Sequence, residues 1–237
     1  MEKAQLLYEG KAKRLYQTDE QGILWVEYKD SATAFNGEKK EEISGKGRLN
    51  NQITSLLFGK LKEAGIASHF VKQLSEHEQL VREVSIIPLE VVVRNIVAGS
   101  MAKRLGLDEG QVIQRPVVEF YLKDDALGDP LITDDHIAML ELATENEVAA
   151  LKDKARVIND VLIGFFQEIG VDLVDFKIEF GRDENGEILL ADEISPDTCR
   201  LWDKETKQKL VKDVFRRNLG NLTDAYELIL SRLGGQN

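Results

Sequence analysis

Apolar positions recur along the chain with two different periods. From Arg48 to Ala64, Leu49, Ile53, Leu56, Leu57 and Leu61 return three or four residues apart. That spacing gathers them on one face of an α-helix, and Gly65 supplies a stop. The same spacing runs from Val148 through Leu151, Ala155, Ile158, Leu162, Phe165 and Ile169. Ahead of it, Thr144 and Glu147 stand at capping-box separation, so the helix is predicted to start at Thr144. Strand-like runs at Gln5–Glu9, Arg14–Gln17 and Ile23–Lys29, separated by Gly10–Lys13 and a polar turn, predict an antiparallel meander. Further strands are expected across 66–98, at Val112–Leu122, and as a pair within 171–194. Short helices are expected at Ser100–Leu105, near 207–219 and near 222–233. The polar stretch Asp30–Gly47 predicts a long loop. Strands and helices mix without strict alternation, which favours an α+β fold, with a boundary near 80–85.

Composition narrows the class. The 237 residues are 43% hydrophobic and 31% charged, enough for one large domain or two closely packed lobes. Lysines and arginines number 31 against 42 acidic residues, a net charge of −11. So acidic a chain repels phosphate backbones and anionic lipid, and neither nucleic acid nor membrane is an expected partner. The single cysteine, Cys199, excludes an internal disulfide, and the three histidines have no metal-ligand spacing. His69, His77 and His136 are expected at the surface. The N-terminus lacks signal-peptide character. The longest apolar region, Ile86–Gly99, is interrupted by Pro88, Glu90 and Arg94, short of a membrane span. A soluble, cytoplasmic protein is expected.

Candidate chemistry concentrates in Val171–Gly181. Alternation puts Val174, Phe176, Ile178 and Phe180 on one face and Asp175, Lys177 and Glu179 on the other. Alone, that is the pattern of a solvated face. Asn185-Gly186 signals a hairpin. Pairing Arg182 with Glu187 sets Glu179 opposite Leu190 and Lys177 opposite Asp192, so Asp192 joins the charged face. A carboxylate among Ile188, Leu190 and Ile194 needs a counter-charge or a cation. Glu179 and Asp192 are thus candidate magnesium (Mg2+) ligands, and Lys177 is placed to neutralise a transferring phosphoryl group. In Gly10-Lys11-Ala12-Lys13, the glycine admits a phosphate and both lysines share a face, although lysine on an edge strand also guards against aggregation. Ser100 opens a predicted helix, as a plain N-cap or, with Arg94 and Arg200 near, as part of an anion site. Cys199 is expected to be a passive neighbour.

Four segments carry a resemblance. They are Tyr8–Lys13, Ile86–Ser100, Leu173–Gly181 and Asp192–Trp202. In order and spacing the chain resembles the SAICAR synthetase family across essentially its whole length. The resemblance implies an ATP- and magnesium-dependent ligase of purine biosynthesis. Such an enzyme joins L-aspartate to carboxyaminoimidazole ribotide (CAIR), releasing ADP and phosphate. It implies two lobes resembling protein kinases, an antiparallel-sheet lobe over 1–84 and an α+β lobe over 85–237, with ATP between them. By the same resemblance, Gly10, Lys11, Ala12, Lys13, Lys123 and Glu179 serve ATP, with Lys123 near the adenine, and Glu179 and Asp192 serve magnesium. Arg94, Ser100 and Arg200 hold the ribotide phosphate, Lys212 and Arg216 add to the anion site, and Asp175 and Lys177 line the reacting region. A homodimer is also implied. An acyl-phosphate route follows from the poor electrophilicity of a carboxylate. A kinase-like phosphotransferase and a non-catalytic nucleotide binder remain the alternatives, separable by whether ADP release depends on CAIR and aspartate.

Overall fold

The computed structural model describes residues 1–34, 39–210 and 221–234. The chain opens with three antiparallel strands, β1 (Lys3–Glu9), β2 (Lys13–Thr18) and β3 (Ile23–Tyr28). A hairpin of β4 (Ser31–Ala34) and β5 (Lys39–Glu42) follows, then helix α1 (Lys46–Glu63). Strands β6 (Phe70–Gln73) and β7 (Glu78–Arg82) complete a five-stranded sheet in the order β1-β2-β3-β7-β6.

A second sheet begins with β8 (Ser85–Ile96) and, after α2 (Gly99–Leu105), continues with β9 (Val112–Leu122) and β10 (Leu131–Ile132). Helices α3 (Asp134–Met139) and α4 (Glu145–Glu168) lead into β11 (Val171–Arg182), β12 (Ile188–Ala191) and β13 (Cys199–Asp203). Its order is β10-β9-β8-β11-β12, with β13 also paired to β11. Helix α5 (Leu222–Arg232) closes the described chain. The mixed, antiparallel α+β architecture agrees with the hydrophobic pattern.

The main core lies under the second sheet. Val91, Val93, Phe176, Ile178 and Phe180 pack with Leu151, Ile158 and Leu162 of α4 and with Leu49, Ile53 and Leu57 of α1. Two expected core positions move. Phe166, one turn beyond Leu162, enters the core, while Phe165 is only half-buried and lies against Lys60 Nζ at 5.5 Å. Val174 leaves the face of Phe176 and packs with Ala98 and Trp202, because the β11–β13 register shifts between Leu173 and Asp175.

Three further expectations are corrected. Asp30–Gly47 is not one loop, since β4 and β5 pair within it; their scarcity of apolar residues hides them from any periodicity. Asp30 instead accepts the N–H of Gly45 at 3.1 Å and of Gly47 at 2.8 Å, satisfying donors at the start of α1. The turn-like stretch after Ser195 contains the unforeseen strand β13. Residues 207–210 are not helical, Lys209 bridging to Trp202 instead; the rest of that expected helix, with Lys212 and Arg216, lies outside the described residues. Among the described residues no helix is long and apolar enough to cross a membrane.

The capping box of α4 forms as its spacing predicts. Glu147 N–H donates to Thr144 Oγ1 at 3.2 Å, and Thr144 N–H donates to Glu147 Oε2 at 2.8 Å. Arg182 Nε donates to Glu147 Oε1 at 2.5 Å, tying the helix start to β11. The Arg182 contact, together with the cap, draws the Glu147 carboxyl from its usual 4.5 to about 2. A depressed folded-state pKa contributes stability that is complete above the unfolded value and lost as pH falls through the folded one. Urea unfolding should therefore show stability declining between pH 4.5 and about 2. Glu147→Gln should flatten that decline; an unchanged slope would remove Glu147 from the acid response.

Candidate active site

A cavity of about 680 Å³ lies between the two sheets. Leu15, Leu24, Val26 and Val81 of the first sheet give it apolar walls, and Glu90, Lys177 and Glu179 of the second, with Lys123 and Asp192 just past β9 and β12, give it charge. Apolar walls with a few convergent polar groups are the usual form of a small-molecule site. Gly10, Lys11, Ala12 and Lys13, at the turn into β2, complete the lining.

Strand β11 places the charged side chains. Lys177 Nζ donates to Glu179 Oε1 at 2.8 Å and to Glu90 Oε1 on neighbouring β8 at 2.8 Å. Burial disfavours the Lys177 charge, but Glu179, Asp192 and Glu90 outweigh it and raise its pKa. Lys123 Nζ donates to both Glu179 oxygens, at 2.7 and 2.6 Å. Lys11 pairs with Asp125 at 2.7 Å and is exposed, whereas Lys13 is sequestered against Asp192 and stands 3.3 Å from Glu193 Oε1.

Asp192 reaches this cluster by a different route from the expected register. The structure pairs Arg182 with Ile188 and Glu179 with Ala191, one residue away from the anticipated pairing. Gly186, at φ +80° in the 183–187 turn, absorbs the difference. Continued straight, β12 would point Asp192 toward the core with Ile178. Instead Asp192 adopts φ +58°, a left-handed conformation that Asp tolerates better than most residues, and its carboxylate meets Lys13. Burial pushes its pKa up, but Lys13, Lys177 and Lys123 hold the carboxyl well below the usual range.

The donor set fits a magnesium ion. Glu193 is 5% exposed and its Oε2 has no hydrogen-bond partner among the described residues, so an acceptor next to Asp192 can face a cation or its water. Among the described residues no three His, Cys, Asp or Glu side chains form a metal site by themselves. Magnesium does not require one, since it takes one or two carboxylates and completes its shell with water and phosphate oxygens.

A second group lies further along β11. Asp175 is flanked on both sides, opposite Arg94 of β8 and Arg200 of β13. Arg94 Nη1 donates to Asp175 Oδ2 at 3.1 Å, and Arg200 Nη1 contacts the same oxygen. Arg94 also donates from Nε to Glu119 Oε2 at 2.7 Å, and from Nη2 to Ser100 Oγ at 3.1 Å and Tyr121 OH at 3.0 Å. Ser100 is therefore no N-cap: Ala98 holds that place without a side-chain bond. Gly99 sits at φ +55°, a backbone that favours glycine, and a Cβ there would come within 2.6 Å of Arg200 Nη2 and push the guanidinium aside.

The structure thus brings Gly10, Lys11, Ala12, Lys13, Lys123, Lys177, Glu179 and Asp192 to one cavity, and Arg94, Ser100, Asp175 and Arg200 to one cluster. Lys123 stands at the carboxylates, its Nζ donating to both oxygens of Glu179. His69 is the correction among the histidines. It is buried, with Nε2 3.1 Å from Asp192 O. Cys199 is buried. The pattern missed Glu90, Glu119, Tyr121 and Glu193. Only Glu90 carried a signal, as a lone acid inside the apolar run Leu89–Val93.

Known proteins share this fold. The family model of SAICAR synthetase matches residues 6–233. The phosphoribosylaminoimidazole-succinocarboxamide synthase of Lysinibacillus sphaericus is 71% identical over 236 residues, covering 100% of each chain. The crystal structure of the Ehrlichia chaffeensis synthase superposes with a TM-score of 0.95 at 43% identity, across 98% of this chain and 100% of that one. A SAICAR synthetase solved in complex with ADP gives 0.94 at 46%, across 97% and 98%. The agreement covers nearly the whole of each chain, and the chain belongs to the SAICAR synthetase family of ligases, which join aspartate to CAIR in ATP-dependent purine biosynthesis.

Proposed function

We propose that the chain carries out this ligation through an acyl phosphate, with ATP in the cavity between the sheets. The observation that carries the reading is the placement of Asp175, Lys177 and Glu179 at alternate positions of β11. Successive side chains on one strand face stand roughly 7 Å apart. The arginine cluster at Asp175 and the lysine–carboxylate cluster at Glu179 are therefore neighbours across a gap that one small substrate spans.

Lys11 and Lys13, with the Gly10 and Ala12 backbone, hold the ATP phosphates. Glu179 and Asp192 hold magnesium, and Lys123 fixes the Glu179 carboxylate through two contacts. When bound, magnesium supplies positive charge that draws electron density from the transferring phosphoryl group. Arg94, Ser100 and Arg200 receive the ribotide phosphate, which competes with the acids now paired to both guanidiniums. Lys212 and Arg216, outside the described residues, add to the same anion site.

The ribotide carboxylate oxygen attacks the terminal phosphorus, and the bond to ADP breaks. The aspartate amine then attacks the acyl carbon, phosphate leaves with its electron pair, and the amine gives up a proton to the departing phosphate or to water. Lys177 offsets the charge that accumulates as these anions meet. No side chain forms a covalent intermediate. With the CAIR carboxylate labelled by heavy oxygen, one label should pass to inorganic phosphate; phosphate without label sinks the acyl-phosphate route. A cytoplasmic homodimer completes the proposal. Exposed Leu105, Leu107 and Val112 around α2 supply apolar surface for association, and sedimentation at low protein concentration tests it.

A further inference from the structure

We propose that His69 is a positioning residue for the nucleotide site, fixing the backbone that carries Asp192. The inference rests on the assignment of Asp192 to the metal–nucleotide site made above. His69 is 6% exposed and lies just before β6, where the chain passes between the two sheets. Its main chain touches both. The N–H donates to Leu190 O in β12 at 2.8 Å, and the carbonyl accepts from Arg82 N–H in β7 at 2.7 Å. The side chain extends the same link, with Nε2 3.1 Å from Asp192 O. A carbonyl only accepts, so Nε2 carries the proton. Phe58 holds the imidazole from the side, with ring centroids 5.8 Å apart and planes at 71°.

The gripped carbonyl belongs to the residue at φ +58°. A non-glycine residue persists there only where its surroundings over-determine it. Among the described residues, His69 is the side chain that bonds this peptide group. Were Asp192 to relax to an extended conformation, its carboxylate would turn toward the Ile178 side and away from Lys13. His69 thus supports a ligand through its backbone, as outer partners support metal-binding side chains.

The test separates donor from packing. His69→Leu fills most of the space without a donor, and His69→Gln returns an amide N–H close to the place of Nε2. Calorimetric titration with ATP and magnesium should show His69→Leu weakened about tenfold, with ribotide affinity unchanged and His69→Gln close to the parent. In an Asp192→Asn background, His69→Leu should add nothing, because the two act on one interaction. Equal weakening toward both ligands, or a loss that adds to that of Asp192→Asn, would make His69 merely structural. If Asp192→Asn weakens ATP binding while His69→Leu does not, the His69 inference fails and the Asp192 assignment stands. If Asp192→Asn itself has no effect, the assignment falls and takes the inference with it. Should His69→Leu not fold, nitrogen NMR of the parent protein decides. A protonated Nε2 protected from solvent exchange is expected, and an Nδ1–H tautomer would overturn the inference.

Discussion

Arg94→Ala should weaken ribotide binding ten- to a hundredfold, by about 1.5–3 kcal/mol, for the loss of a charge-assisted contact. ATP affinity should hardly change. The fold should suffer as well. The Arg94 side chain is 5% exposed, and its partners Asp175 and Glu119 are 7% and 10% exposed. Breaking a buried ion pair from one side usually costs about 3–5 kcal/mol, because the remaining charge is stranded. Here each acid keeps a second arginine, Asp175 through Arg200 and Glu119 through Arg104. The loss should therefore fall near 3 kcal/mol, a drop in Tm of roughly 6–12 °C for a chain of this size. Arg94→Lys keeps the charge and loses the planar fork, so it should recover stability better than affinity. Titration of each ligand separately, beside urea unfolding, reads all three effects. Equal losses for ATP and ribotide would assign Arg94 to the fold alone.

Asp192→Asn should lower magnesium–ATP affinity ten- to a hundredfold, the usual range for disturbing a metal site. The fold should survive, since Asn accepts φ near +58° as readily as Asp. Excess magnesium should restore part of the lost turnover. ATP without metal should bind no worse than before, because the ammonium groups of Lys13 and Lys177 gain freedom to meet phosphate once a competing carboxylate is gone. A lower Tm with unchanged magnesium dependence would instead make Asp192 only the salt-bridge partner of Lys13.

Periodicity exposed the elements whose burial is one-sided. The α4 stripe, with its capping box, and the alternation of Asp175, Lys177 and Glu179 both follow from backbone geometry that needs no tertiary knowledge. Features decided by neighbours stayed hidden. The β11–β12 register turned on whether Gly186 took up one extra residue, and the anticipated pairing slipped by one. Asp192 still reached the charged side, but through a left-handed backbone in place of strand parity. Strand β13 was masked by Ser195-Pro196-Asp197, residues that favour turns. His69 was misplaced because a lone polar ring has no period, and its burial depends on Phe58, Arg82 and Leu190 arriving from three other segments. Lys212 and Arg216, expected at the anion site from resemblance alone, lie outside the described residues.

Strand β11 is paired to β8 without a register break from Asp175 to Glu179. Four extended residues span roughly 13 Å, and a strand hydrogen-bonded on both edges hardly stretches. The arginine-bound end and the carboxylate-bound end are therefore held at a set interval, as marks on a rigid scale. With the ligands placed as proposed above, no loop closure adjusts that interval, and an acid whose phosphate sits one carbon nearer or farther would reach one mark and miss the other. On that proposal, selection of the acid substrate by length would be written into the backbone itself, before any side chain tests its chemistry.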